Sequence, residues 1–282
     1  MAVSSQEGSW TEASTGRTYA YRLWKPSTTQ ALLVLLHGFG EHSGRYHQLA
    51  TSLAKRGICV AAPDLWGHGR SGGARGDLGD VTRCVNDLAT LTKDTFLPES
   101  HQARYALFGH SFGGLAAICW TLNEPHALRC LIAQSPLLEV GFPVPIWKRV
   151  AAAVLATSWP TYSLSTDLDV GALSHDPAVV QAYRVDPLVH NKMSARTYRS
   201  ILHVRDDAAR RAHQSHVPTL LLCGGGDRII SLKAARRWYD SLTCEKRIVE
   251  FPNRYHELHH EDVQDQIDGL VQEWVLTHAT ST

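Results

Sequence analysis

The sequence predicts an α/β fold, a mostly parallel sheet covered by helices on both faces. From Ala31 onward, short apolar runs alternate with longer amphipathic ones, as in successive βα units. The short runs are apolar almost throughout, which implies strands buried on both faces. The alternation fails between about Val140 and Val217, and there the chain reads as a helical insertion.

The predicted strands are residues 31–36, 58–62, 105–108, 130–133, 219–223 and 247–251. Between them, Val81, Val85, Leu88 and Leu91 recur at helical spacing, and Val263, Ile267, Leu270 and Trp274 do so near the C-terminus. In the insertion, Pro143, Pro145, Pro160, Pro177 and Pro187 interrupt short helical patterns and no strand stands out. The expected organisation is a core of residues 1–139 and 217–282 with a cap at 140–216. Such a cap would cover the C-terminal edge of the sheet, where open α/β folds bind ligands. Residues 277–282 read as a frayed tail.

Composition narrows the function. Of 282 residues, 44% are hydrophobic, so a chain of this length buries roughly 75% of its unfolded surface without staples. The 28 Lys+Arg against 27 Asp+Glu leave a net charge of +1. With no basic run, nucleic acid is not an expected partner. Residues 1–10 lack the basic and apolar regions of a secretory signal. The apolar stretches at 31–36 and 150–156 fall far short of the ~20 residues that span a bilayer, and the expectation is a cytoplasmic protein. Cys59, Cys84, Cys119, Cys130, Cys223 and Cys244 lie scattered, mostly within apolar runs, as suits reduced core thiols.

The sharpest chemical signal is Gly109-His110-Ser111-Phe112-Gly113, between a predicted strand and a helical run. A G-x-S-x-G at that junction is a nucleophile elbow: the glycines permit a tight turn that projects the serine hydroxyl above the sheet. A serine hydroxyl needs a base, and the base needs a carboxylate to fix its tautomer. In folds with this elbow the chain order is serine, acid, histidine. Asp227 follows the strand at 219–223 across three glycines, and His256 follows the strand at 247–251. Ser111, Asp227 and His256 are the candidate catalytic residues. The loop after the first strong strand, His37-Gly38-Phe39-Gly40, offers a second oxyanion donor, so the backbone N–H groups of Phe39 and Phe112 are the candidate oxyanion hole. The Gly-rich loop at 64–71 reads as structural.

His256 to His260 also fits H-E-x-x-H, in which two histidines share a helical face and hold zinc. Pro252 and Asn253 place His256 in a loop or at a helix start, and the third ligand would have to come from a short C-terminal segment. No metal and no cofactor are expected.

Taken together, H-G-F-G-E-H-S-G-R-Y over residues 37–46, D-L-W-G-H-G-R-S over 64–71, G-H-S-F-G-G over 109–114, D-P-L over 186–188, G-D-R over 226–228 and Y-H-E-L over 255–258 resemble the monoacylglycerol lipase and lysophospholipase branch of the α/β-hydrolase superfamily. The resemblance runs from about Arg17 to Val275. It implies an eight-stranded sheet with the cap inserted between strands 6 and 7, and hydrolysis of a lipid monoester through an acyl-enzyme. It further implies that Glu41, Arg45, Tyr183 and His259 surround the alcohol end of the substrate, and that the apolar cap lines an acyl tunnel and touches membrane or micelle surfaces. Phe112 stands where methionine is common in that branch, which leaves the backbone role intact and alters the acyl pocket. Lysophospholipase and broad carboxylesterase activity use the same machinery, and a catalytically silent ligand-binding relative is the non-enzymatic alternative.

Overall fold

The computed structural model describes residues 2–279. The strands are β1 (Val3–Thr11), β2 (Thr18–Pro26), β3 (Ala31–Leu36), β4 (Ile58–Pro63), β5 (Tyr105–His110), β6 (Leu128–Gln134), β7 (Ser163–Ser165), β8 (Lys192–Ser194), β9 (Thr219–Gly224) and β10 (Lys246–Phe251). Eight of them form one sheet in the order β1-β2-β4-β3-β5-β6-β9-β10. β2 runs antiparallel to β1 and β4, and every other pairing in that sheet is parallel.

The helices are α1 (His47–Lys55), α2 (Val81–Leu91), α3 (Leu97–Ser100), α4 (Phe112–Asn123), α5 (Ile146–Ser158), α6 (Pro177–Val185), α7 (Ala195–Arg211), α8 (Leu232–Asp240) and α9 (Gln264–Ala279). They cover both faces because the central strands are apolar on both. Along β3, Leu32, Val34 and Leu36 join the cluster formed with α2, α4, α7 and α8, while Leu33 and Leu35 join the cluster formed with α1 and α9. This is the period-2 alternation of a strand applied to two cores. α4 is buried from Phe112 to Thr121, as a helix that is apolar on all sides must be.

Periodicity alone does not single out β1 and β2. β1 is a polar edge strand with Ser4, Ser5, Gln6 and Glu7 exposed, and it is held by pairing with β2 along its whole length. β10, expected as a buried strand, is the opposite edge, and only Phe251 is buried. Its Arg247 and Glu250 instead pair with Glu273 and Arg236 at the surface.

Between β6 and β9 the chain forms α5, β7, α6, β8 and α7. β7 and β8 form a two-stranded antiparallel sheet where no strand was expected. Three residues each are too few to establish an alternation. The inner side of α7, with Ile201, Val204 and Ala208, packs into the cluster beneath the main sheet. At the other end of the chain, residues 277–279 continue α9 rather than fraying, because His278 is buried and bonds the Trp274 carbonyl at 2.7 Å. Residues 280–282 lie outside the described residues. Five of the six cysteines are buried, and burial pushes the Cys59 thiol up to about 12. Among the described residues no helix is long and apolar enough to cross a membrane.

Candidate active site

The chain leaves β3 for β4 on one side of the sheet, whereas β5 lies on the other side of β3. That reversal opens a crevice at the C-terminal ends of β3 and β5. The loop at 37–40 follows β3, and Ser111 follows β5. Ser111 is the N-cap of α4 with φ 53° and ψ −117°, a conformation costing about 1–3 kcal/mol in a non-glycine residue. The turn is held in place by its backbone: Ser111 N–H donates to the Gln134 carbonyl (3.0 Å), and its own carbonyl accepts from Leu115 (3.1 Å) and Leu137 (2.9 Å). A Cβ at Gly113 would run into the Leu36 and His37 carbonyls, and one at Gly109 into the Gly113 carbonyl, so both flanking positions need glycine for close approach.

Asp227 and His256 meet beside this elbow. Asp227 Oδ1 accepts the N–H groups of Ile229 (2.8 Å) and Ile230 (3.1 Å), and Oδ2 faces His256 Nδ1 at 2.7 Å. The carboxylate thus both caps its own turn and orients the imidazole. Both side chains are almost fully buried. Burial opposes the charged form of each, yet the pairing outweighs it: the His256 pKa is raised by Asp227, with Glu257 and Glu41 adding to it, and that of Asp227 is lowered. With Nδ1 donating to Asp227, Nε2 carries the free lone pair. Among the described residues Ser111 Oγ has no hydrogen-bond partner. Its loop touches His256 through His110, whose ring centroid lies 4.6 Å from that of His256.

The N–H groups of Phe39 and Phe112 find no acceptor among the described residues. The Phe39 ring packs edge-on against Phe112 (5.6 Å), His68 (4.8 Å) and His190 (6.0 Å). Buried His37 braces the loop from below, with Nδ1 on the Gly38 carbonyl (2.7 Å) and Nε2 accepting from Leu65 N–H (2.9 Å). Asp64 in the neighbouring Gly-rich loop accepts from the N–H groups of Ser43 and Arg70, both at 2.8 Å, which is the structural role expected of that loop.

The four residues assigned to the alcohol end are also near one another. Arg45 lies between Glu41 and Glu257, bonding the latter through two nitrogens (2.5 and 2.8 Å), and its guanidinium sits 4.7 Å from the Tyr183 ring centroid. Glu41 also accepts from Gly38 N–H and Tyr46 Oη, both at 2.6 Å. Burial raises the pKa of both glutamates, and Arg45 overrides it, leaving both below the usual carboxylate range. His259 is buried and stacked on Tyr46 (4.5 Å). The Gln134 amide nitrogen bridges His259 Nδ1 (2.7 Å) and His110 Nδ1 (2.9 Å), which puts the His259 proton on Nε2, an atom that is buried without a partner among the described residues. Burial and the neighbouring His256 lower the His110 pKa to about 3, so that ring stays neutral. Glu257, Tyr46, His110 and Gln134 are not among the candidate site residues read out of the sequence, although the first three fall within its motifs. Only the position of Gln134, at the C-terminal end of a central strand, signals it in advance.

Removing Arg45 tests this network. Arg45→Met leaves two buried carboxylates facing each other, and the expected loss is about 3–5 kcal/mol, seen as a lower urea midpoint. Adding Glu257→Gln should recover part of that loss. A surface-like loss below about 1 kcal/mol would contradict the burial of the network.

The H-E-x-x-H histidines do not share a helical face, since Leu258–His260 is a single 3₁₀ turn. Glu257, His259 and His260 do approach one another. Two of the three are already engaged, His260 between Glu257 (2.8 Å) and the Arg45 carbonyl (3.0 Å) and Glu257 on Arg45, and the third, His259, accepts from Gln134 at Nδ1 and so carries its proton on Nε2, with no free lone pair to offer a metal. These residues do not fit a zinc site.

A mostly parallel eight-stranded sheet, flanked by helices and carrying a serine elbow after its fifth strand, defines an α/β-hydrolase. A family model described as serine aminopeptidase, S33, matches residues 27–263, and the chain belongs to that family. A monoacylglycerol lipase of Mycolicibacterium smegmatis is 32% identical over 93% of this chain and 94% of its own, and the human monoglyceride lipase is 31% identical over 90% of this chain and 85% of its own. The chain spans only 28% of an abhydrolase domain-containing protein of Dictyostelium discoideum that it matches at 32% identity. The crystal structure of Paleococcus ferrophilus monoacylglycerol lipase superposes with a TM-score of 0.84 at 30% identity, covering 99% of this chain and 100% of that one.

Proposed function

We propose that this protein is a cofactor-independent serine hydrolase that cleaves monoacylglycerols, or similar lipid monoesters, to fatty acid and alcohol. The observation that carries the reading is the strained Ser111 elbow beside a buried Asp227–His256 pair whose Nε2 is free to accept a proton. In this reading Ser111 attacks the ester carbonyl, His256 takes its proton, and the oxyanion rests on the N–H groups of Phe39 and Phe112. His256 then protonates the departing alcohol and activates the water that releases the acid. The Ser111–His256 bond forms on the substrate-bound enzyme, where such bonds tighten.

The substrate class is supported by the relatives named above and by the walls of the site. His259 Nε2–H is a buried donor without a partner, suited to an alcohol hydroxyl beside Glu41, Arg45 and Tyr183. An aminopeptidase would need a carboxylate for the substrate ammonium, and the two nearby, Glu41 and Glu257, already share Arg45. Residues 140–216 are the proposed cap, with α7 seating it on the core. On α5, Ile146, Trp147, Val150 and Val154 are exposed, so the cap presents an apolar face suited to a membrane or micelle surface. The enzyme is accordingly read as cytoplasmic and peripheral at lipid surfaces.

The test is hydrolysis of 1-monoacylglycerols of graded chain length beside a lysophosphatidylcholine and a p-nitrophenyl ester, each with fluorophosphonate and with EDTA. The expected result is monoacylglycerol turnover that fluorophosphonate abolishes and EDTA leaves alone. Turnover of the activated ester alone would reduce the reading to a general esterase, lysophosphatidylcholine preference would make it a lysophospholipase, and no turnover would favour a silent ligand-binding relative.

A further inference from the structure

A cavity of about 510 Å³ opens beside the first turn of α2, lined there by Arg17, Asp80 and Arg83 and across from it by Arg196, Arg199 and His203 of α7. The three α7 residues are spaced i, i+3 and i+7, so they lie along one side of that helix. In a chain with a net charge of +1, this wall gathers four guanidiniums against one carboxylate. Two of the four are held from behind, Arg17 by Asp87 (3.4 Å) and Arg196 by Asp77 (2.7 Å). Arg83 and Arg199 are exposed and pair with no carboxylate among the described residues. Asp80 is the one carboxylate of the wall, and it is spent on other donors: Oδ1 accepts the Arg83 backbone N–H (2.8 Å) as the N-cap of α2 and Oδ2 faces Ser200 Oγ (3.5 Å), so the wall keeps an excess of positive charge. Planar guanidinium forks free of carboxylates match a phosphate group.

The position of the cavity indicates which phosphate. At the start of α7, Ala195 N–H donates to the Tyr162 carbonyl and Arg196 N–H to the Pro160 carbonyl, both at 2.9 Å. The basic wall is therefore bonded directly to the segment that leaves α5, where Trp159 and Tyr162 continue the exposed apolar residues of that helix. An apolar face and a basic cavity joined in this way suit a surface that offers acyl chains and anionic head groups together.

We propose that this cavity is a head-group site for an anionic phospholipid, in which Arg83 and Arg199 hold the phosphate while the outer face of α5 enters the same lipid surface. The proposal rests on the lipid-ester reading of the active site, since it gives the enzyme a means of settling where such esters reside. The site lies outside the catalytic crevice and does not hold the scissile ester.

The test uses the full chain carrying Ser111→Ala, so that no hydrolysis intervenes, in flotation with vesicles of phosphatidylcholine alone and of phosphatidylcholine mixed with phosphatidylglycerol. At about fivefold for each basic residue near an anionic surface, Arg83→Gln with Arg199→Gln should remove about 30-fold of the preference for the mixed vesicles. Binding to phosphatidylcholine alone should not change, and in the Ser111 background the double variant should hydrolyse a p-nitrophenyl ester at the parental rate. Equal affinity for the two vesicles, or a preference that survives the double variant, overturns the proposal. Inorganic phosphate binding to the parent but not to the double variant, without effect on flotation, would assign the cavity to a soluble phosphate compound and overturn the lipid source. Failure of the active-site reading is seen separately, as absent monoacylglycerol turnover with the vesicle preference intact.

Discussion

Ser111→Ala is expected to lower kcat on a 1-monoacylglycerol by at least about 10⁴-fold while leaving the thermal midpoint and the circular dichroism unchanged. The size follows from the proposed mechanism: nucleophilic attack by Ser111 would be the step that every other group in the site assists, and nucleophile deletions in such triads remove nearly all of the rate that the triad supplies. The fold should be indifferent to the change. Ser111 Oγ bonds nothing among the described residues, and the elbow is held instead by the Ser111 backbone bonds to Gln134, Leu115 and Leu137. Labelling by a fluorophosphonate should vanish in the same variant, whereas substrate still binds, because the N–H groups of Phe39 and Phe112 and the buried His259 donor remain. Retention of turnover within tenfold of the parent would remove Ser111 from the mechanism.

The parts of this molecule legible in the sequence are those whose signal is local. Ser111 announces itself because the turn that exposes it needs glycine on both sides within five residues. Asp227 and His256 follow because each comes just after a short strand-like run, and the ends of parallel strands share one edge. The alcohol-side network is not local in this sense. Arg45 finds Glu257 across 212 positions, and Gln134 joins His110 to His259 across 24 and 125. No spacing rule encodes those bonds, so the sequence singles out Arg45 only through the resemblance, as a candidate for the alcohol end, and not as the cation that holds two buried carboxylates. The missed strands fail for a different reason: β1 is a polar edge, and β7 and β8 are too short to display a period.

If the proposed alcohol end is correct, the same network bears on specificity. Glu41 has one oxygen committed to Gly38 and Tyr46 and the other to Arg45, and Arg45 is committed in turn to both glutamates. A rigid set of this kind presents fixed polar edges to an alcohol instead of flexible charges. A head group that cannot meet those edges leaves buried polar atoms unpaired, and the penalty falls on the wrong alcohol more than it rewards the right one.

Asp227→Asn should lower kcat by about 10⁴-fold and, at the same time, move the acid limb of the kcat/KM profile to lower pH. The geometry dictates how the amide will sit. Ile229 and Ile230 donate to Oδ1, so the carbonyl oxygen of the introduced amide stays there and its NH₂ takes the place of Oδ2, facing His256 Nδ1. Nδ1 must then accept, the proton moves to Nε2, and the imidazole no longer offers a lone pair toward Ser111. The pH shift has an independent cause. As the proposed base, His256 would act only when neutral, so activity in the parent should be lost as pH falls through its pKa. Burial depresses that pKa, and the Asp227 carboxylate, aided by Glu257 and Glu41, raises it above the ordinary histidine value. Removing the Asp227 charge leaves burial less opposed, the pKa falls, and what activity remains persists to lower pH. The two effects separate the possible roles of Asp227. A residue that only capped the turn at Ile229 and Ile230 would still do so as asparagine, with neither the rate nor the acid limb displaced, and that outcome would exclude Asp227 as the group that orients His256.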